Sequence, residues 1–456
     1  MPTKPMTEGL LEHDIAKILH APKRPTDAVT HKCILHTTDF DISIKDLISI
    51  ETSCDYHNDV GDYILVTFTL SMGSAVKIIH PQMDNLELTI STDVYGKTSS
   101  SRYRAVIVSG LSNVSGNVYS NMSMEELNKM DMITFEMQCI NKSIMEMRNM
   151  YVDGVYSYHT VTEVIKTLFH HHGDPVLSKS GKWGLSMYPA NNDKRYRHIV
   201  VPAGVALLDL PTYLQNKDYG VYSAGIGTYI TRYSESSNKA DMTDHVFVYP
   251  LYNHMIYEKP GRKLVIYSTP LNNMKFSENS YMVDGDSVKI VGHGDMTGKE
   301  VSKYHIMDKG NGLVTGNTAS VMVDGVKVTD SKVSTDLKTN LSGQRVKAVN
   351  SVSDRPLYMS HTTNPYPGYS DIASNMLSHY NVDWNFSDPD LLYPGMPVTY
   401  VYADSNHGVV RLHGVLHSNF TKYSGPTKIH HTNLNILLEP YIDNITSKTD
   451  VVDVRR

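Results

Sequence analysis

Apolar residues alternate with polar ones over most of this chain, and a helical period surfaces in only a few short stretches. From about Lys32 to Cys139 the pattern reads as strand. Tyr63 to Leu70 is a continuous β-branched and aromatic run, Leu86-Glu87-Leu88-Thr89-Ile90 alternates, Tyr103 to Val108 is a second run, and Phe135, Met137 and Cys139 alternate with polar neighbours. Clusters of Gly, Asn and Ser at Gly96 to Ser101 and Ser112 to Asn117 separate these runs. Strands at that spacing predict an antiparallel barrel or sandwich.

Two capping boxes interrupt the strands. Ser123 with Glu126 precedes Leu127, and Thr160 with Glu163 precedes an apolar stripe of Val161, Val164, Ile165, Leu168 and Phe169. The second box predicts a helix that stops at Gly173, with His170, His171 and His172 in its last turn, where cationic side chains suit the helix dipole. Lys179 to Asn238 is mixed and reads as an insertion, with a short helix expected from Pro211 and a break at Tyr219-Gly220. Strand patterning returns at His245 to Tyr252, Lys263 to Tyr267, Ser287 to Val291 and Ser320 to Val328, the last holding an Asp324-Gly325 hairpin turn. Ser370 is expected to cap a helix bearing Ile372, Ala373, Met376, Leu377 and Tyr380, before strands at Val398 to Tyr402, Val409 to Leu416 and Leu434 to Leu438.

The resulting division is an N-terminal arm (1–30), a first β-barrel (31–122), an inserted helical and mixed domain (123–240), a second β-barrel with insertions (241–444) and a tail (445–456). A faint repeat supports duplication: AVIVSGLSNV at 105–114 and VRLHGVLHSNF at 410–420 share an apolar strand, a glycine, and a second apolar stretch turning into Ser and Asn. Gly110 and Gly414 are therefore candidate bend or bulge positions.

Composition sharpens this picture. At 456 residues the chain is long enough for two to four domains, and 40% hydrophobic with 20% charged residues is that of a folded protein. Lys and Arg number 42 against 48 Asp and Glu, a net charge of −6, which argues against a surface built to grip a phosphate backbone. Three cysteines, Cys33, Cys54 and Cys139, form no CxxC pair and are expected to be reduced thiols. The first 24 residues lack an apolar signal core, and no stretch reaches the length of a membrane span, so neither export by an ordinary signal nor stable membrane insertion is expected. Tyr is abundant at 30 residues against 8 Phe, a bias that suits half-buried strands and subunit contacts.

Candidate chemistry is sparse. Successive helical residues diverge, so His170, His171 and His172 cannot converge on one metal. His413 and His417 would share a strand face if no bulge intervened, with His430-His431 on a neighbouring segment, but no carboxylate or thiolate is placed beside them. No GxSxG elbow, P-loop, HExxH or Rossmann glycine pattern occurs, and Gly292-His293-Gly294 and Gly310-Asn311-Gly312 read as turns. No catalytic residue, cofactor or metal is therefore expected. A pair of acidic residues acting on cell-wall glycan has no sequence signal, and Trp183 and Trp384 could offer stacking surfaces in a carbohydrate-binding reading.

From Tyr103 to Phe169 the chain resembles the hub family shared by contractile phage baseplates and the type VI secretion spike. AVIVSGLSNV at 105–114, TFEMQCI at 134–140, Arg148, the link Gly154 to Tyr158, and the helix start Thr160-Val161-Thr162-Glu163-Val164-Ile165 follow that family's order. LPTYLQNKDYGVYSAG at 210–225 and LLYPGMPVTYVY at 391–402 are similar to further hub segments, the latter to the entry of the second barrel, with Pro394 and Gly395 as its turn candidates. The resemblance implies a mainly β fold with α+β insertions: two similar antiparallel β-barrels plus inserted helical and mixed domains. It also implies a non-catalytic homotrimer in the virion tail baseplate, assembled in the host cytoplasm. Its expected partners are a separate central spike protein, the tail tube protein and other baseplate proteins, with DNA passing through unbound.

Overall fold

The computed structural model describes residues 6–20, 29–94, 97–110, 119, 121–130, 132–178, 183–217, 219–234, 242–252, 262–268, 281–296, 364, 366–375, 377–404 and 408–439, with four two-residue strands between 322 and 346. The expected tail at 445–456 and the Gly310-Asn311-Gly312 turn lie outside these residues. The fold is mainly β, and one continuous mixed sheet of 14 strands runs through most of it.

The first barrel is built from β1 (Val29–His36), β2 (Asp41–Ile44), β3 (Asp46–Asp55), β4 (Tyr63–Ser71), β5 (Glu87–Val94), β6 (Lys97–Ser109) and β7 (Met132–Asn141). Period-two alternation turns Ile64, Val66, Phe68 and Leu70 of β4 and Phe135, Met137 and Cys139 of β7 into one core with Cys33, Leu35 and Leu88. A helical run from Met72 to Asn85 crosses one end and adds Ala75 and Ile79 to that core. Neighbouring strands run β1-β5-β6-β7-β4-β3, all antiparallel, with β2 hairpinned onto β1. The barrel thus extends to Asn141, past the boundary expected at 122.

The inserted domain follows. A short helix α2 (Met124–Leu127) precedes β7, and α3 (Lys142–Arg148), β8 (Tyr151–Tyr156), α4 (Val161–Leu168), β9 (Trp183–Met187), β10 (Ile199–Ala206), α5 (Leu210–Asn216), β11 (Gly227–Tyr233) and β12 (Thr243–Tyr249) come after it. Both expected capping boxes are formed, at Ser123/Glu126 and Thr160/Glu163. The stripe of α4 is buried as its spacing requires, together with Ile199, Leu207, Leu210 and Val246. The helix does not stop at Gly173, however. That residue keeps a helical φ of −78°, and the chain passes through a wide turn at Phe169–Gly173 into a further helical turn at Asp174–Leu177. β12 pairs with β11 and β9 in a three-stranded sheet, so the strand expected to open the second barrel belongs to the insertion.

The second barrel comprises β13 (Lys263–Ser268), β14 (Tyr281–Asp284), β15 (Ser287–Met296), β20 (Ser378–Asn385), β21 (Pro397–Asp404), β22 (Gly408–Ser424) and β23 (Ile429–Leu438). Between β15 and β20 lie two small antiparallel pairs, β16 (Met322–Val323) with β17 (Val326–Lys327) and β18 (Leu337–Lys338) with β19 (Arg345–Val346), and the Asp324-Gly325 turn expected there lies outside the described residues. The ladder β13-β21-β22-β23-β20-β15 returns to β13 and closes the ring. Here the expectation of all-antiparallel pairing fails, because β13 runs parallel to both β15 and β21. Gly292 and Gly294 are strand residues rather than a turn: a Cβ at either would lie 2.7 Å from Val382 or Tyr400, so they admit those side chains to the core.

Two expectations about helices also change. The arm contains α1 (Met6–Leu19), whose Leu11, Ile15 and Ile18 are buried against Tyr267, Val291 and Val401 on the outside of the second barrel. The helix expected from Ser370 instead spans Tyr366–Asn375 (α6), and Tyr380 lies in β20, where Val382 and Trp384 are buried by strand alternation.

Candidate functional site

In chain order the six ring strands of the first barrel are β1, β3, β4, β5, β6 and β7, and those of the second are β13, β15, β20, β21, β22 and β23. Read by rank, both rings connect first to fourth, fifth, sixth, third and second. The match extends to register. The fifth strand bulges against the sixth in each barrel, between Ile107 and Ser109 in β6 and between Leu416 and Ser418 in β22. In direction the first strand differs, β1 being antiparallel to β5 whereas β13 is parallel to β21, and in register the second, since β3 bulges against β4 between Leu47 and Ser49 whereas β15 pairs evenly with β20.

The bulges also correct how the two repeat segments correspond. They superpose Val108 on His417, which sets Gly110 opposite Asn419 and Gly414 opposite Ala105, so the two glycines are not equivalents. Gly110 ends β6 at a φ of +116°, where a Cβ would lie 2.7 Å from the Thr134 carbonyl. Gly414 has no such φ, but its Cβ would fall 1.8 Å from the Leu437 carbonyl, so it permits close backbone approach inside the second barrel. Pro394 and Gly395 form a buried turn with Gly395 at +71° and the Met396 amide donating to the Tyr393 carbonyl at 3.2 Å, as a type II turn requires. Tyr249 of β12 packs on this turn.

What joins the barrels is β22. Past its bulge, Ser418–Ser424 leaves β21 and pairs antiparallel with Asp55–Ser49 of β3 while still pairing with β23. Tyr423 thereby enters the first barrel's core, at the seam between β3 and β1 where the described residues form no ladder. Polar contacts pin the inserted domain to the same joint. Asp62, in the β3–β4 connection, accepts from the Tyr229 hydroxyl at 3.0 Å, the Thr231 hydroxyl at 2.8 Å and the Cys54 thiol at 3.3 Å. The Tyr249 hydroxyl donates to the Tyr56 carbonyl at 2.6 Å, and Asn419 donates to the Tyr56 hydroxyl at 2.8 Å. Burial pushes the Asp62 carboxyl above its ordinary range, against the opposing pull of those donors. Burial likewise pushes the Cys33 thiol to about 12 and raises Cys54 and Cys139, so these thiols are held unreactive.

The histidines are dispersed. His417 is the bulged residue, and its ring meets that of His57 at a tilt and that of His379 edge to face, while His413 faces Thr399. His430 meets His31 across the seam, Nε2 to Nε2 at 2.9 Å, while His431 turns to Asn385. Among the described residues no three His, Cys, Asp or Glu side chains are grouped to hold a metal. Trp384 lies fully buried in the second barrel and offers no stacking surface, and the Trp183 indole donates to Asp174 at 2.7 Å.

A cavity of about 180 Å³ with a mixed polar and apolar wall opens at the joint, lined from all three parts by His31, Asp62, Tyr103, Arg232, Asp390 and Leu392 among others. Sequence reasoning gave no signal for Asp62 or Arg232, because the partners that join the inserted domain to the first barrel, Tyr229 and Thr231 for Asp62 and Ser99 and Ser101 for Arg232, lie more than a hundred residues away.

No protein-family model matches the chain, and no curated protein does. Among solved structures the chain is similar to a tail protein from Neisseria meningitidis MC58, at 10% identity and a TM-score of 0.41, over 89% of this chain and 96% of that one. It is similar to the 43 kDa tail protein of prophage MuSo2 from Shewanella oneidensis, at 9% identity and 0.42, over 90% and 98%. A third is an E. coli type VI secretion component described as resembling the T4 tail proteins gp27 and gp5, at 9% and 0.42, over 90% and 77%.

Proposed function

We propose that this chain is the structural hub of a contractile phage baseplate, a homotrimer that joins a sixfold tail tube to a threefold central spike and leaves a channel for DNA. The observation that carries this reading is the recurrence of one strand order in two barrels of one chain, welded edge to edge through β22 and β3. Three such chains in a closed ring present six similar units to the tube and keep a threefold repeat toward the spike. The acidic balance suits a lumen through which DNA slides without adhering. The hub acts by geometry and interface strength, with no catalytic step, within the virion tail.

The test is the mass of the purified protein in solution, with and without a cognate spike protein. A species of three times 51.1 kDa is expected, alone or once the spike is added. A chain that stays monomeric with the spike present, or that cleaves peptidoglycan, would overturn the reading.

A further inference from the structure

Within the cavity at the joint, one cation stands out. Arg232 of β11 reaches from the inserted domain into the first barrel, where its guanidinium donates to the hydroxyls of Ser99 (3.1 Å) and Ser101 and to the Met242 carbonyl (2.8 Å). All three acceptors are neutral, and among the described residues no carboxylate pairs with it. Three of the five guanidinium N–H groups are thus used, which leaves donors to spare in a fixed fork. A partly buried charge with no counterion is costly, so such a group ordinarily finds an anion.

The acidic side chains of the lining do not supply one directly. Both Asp62 oxygens are already taken by Tyr229, Thr231 and Cys54. Asp390 enters from the turn at Pro389–Leu391 of the second barrel. The rest of the wall is mixed: Ile64, Ile90 and Leu392 are apolar, while Thr92, Tyr103 and the His31–His430 pair supply hydroxyls and ring nitrogens. Its volume of about 180 Å³ is below the roughly 300 Å³ at which pockets for drug-sized ligands begin, so the occupant is small.

The geometry points to a small-oxyanion site at Arg232, taking a phosphate-type or carboxylate group between the inserted domain and the first barrel. Oxyanion binding there locks β11 against β6, because the ligand neutralises the charge that spans them.

Titration calorimetry on the full chain, with inorganic phosphate in one arm and acetate in the other, tests this, with sodium chloride keeping ionic strength constant. One saturable site per chain is expected for at least one probe, weakened about tenfold or more by Arg232→Gln, which removes charge-assisted bonds. Arg195→Gln, which alters an exposed arginine paired with Glu163 of α4 and absent from the cavity wall, should bind like wild type. Absence of saturable binding by the wild type up to about 50 mM of both probes overturns the proposal, whatever becomes of the variants. So does equal binding by wild type and a folded Arg232→Gln.

Discussion

Gly425 opens the turn that follows β22, and replacing it with alanine strikes the joint between the barrels without touching either core. A Cβ there would lie 1.9 Å from the Leu47 carbonyl oxygen, against a practical minimum of 3.0 Å, and its obstacle is backbone that cannot swing aside. The hairpin tip must withdraw by about 1 Å, an overpacking cost of roughly 1–3 kcal/mol. Withdrawal also stretches the bond from the Gly425 amide to the Ile48 carbonyl, 2.8 Å in the native protein, worth about 1 kcal/mol net. The sum, about 2–4 kcal/mol, falls on the pairing of Ser418–Ser424 with Ser49–Asp55. Hydrogen exchange by mass spectrometry reads it: peptides from β3 and the far half of β22 should exchange at least roughly 30-fold faster, while β20 and β21 keep their protection. Gly285→Ala is the control, since its φ of +56° is strained but no atom lies within 4 Å, and its effect should stay local. Unchanged protection of β3 in Gly425→Ala would refute the account of the joint, and so would equal loss throughout the second barrel.

Other outcomes follow from the same contacts. Because burial raises the Asp62 carboxyl above its unfolded value, its contribution is fully present below that value and is lost as pH rises through the folded one; Asp62→Asn should therefore gain on wild type in urea unfolding as pH rises above the ordinary carboxylate range. Trp384→Phe should cost much less than Trp384→Ala, for which about 3–5 kcal/mol is expected, because phenylalanine fills most of the space and removes an indole N–H that has no acceptor. Thr160→Ala should destabilise α4 by about 1 kcal/mol and unmask exchange at the Glu163 amide, which the threonine hydroxyl accepts at 3.2 Å.

Local periodicity carried much of the architecture. β4, β5, β7, β13 and β21 were legible because a barrel wall buries one face, and that prints an alternation that any register would show. Pairing direction leaves no such print, so the parallel placement of β13 was beyond reach. α1 was missed because, among its described side chains, the stripe that meets the barrel, Leu11, Ile15, Ile18 and Leu19, is too narrow to distinguish from a charged arm. The apolar residues from Ile372 to Tyr380 follow a helical spacing and carry no strand alternation, and the tertiary partner β23 decides for strand from Ser378 onward. The joint was illegible for another reason. Asp62 and Arg232 are single polar residues in strands and loops, and their meaning comes only from β11 arriving across the first barrel.

That joint also explains why two barrels of one order need not be interchangeable. In the second barrel the place beside β15 is filled by the chain's own β13, so the ring closes by itself. In the first, the place beside β3 is filled by the overhang of β22, and closure of the seam depends on its neighbour. Each chain therefore alternates a self-closed unit with one completed by the unit next to it. On the proposed hub reading, three copies in a ring repeat that alternation three times. To a tube that senses only the common strand order the surface is nearly sixfold, and to a spike that meets the seams and insertions it is threefold. On that same proposal, the reversal of a single strand out of six is the feature that lets one chain face both symmetries.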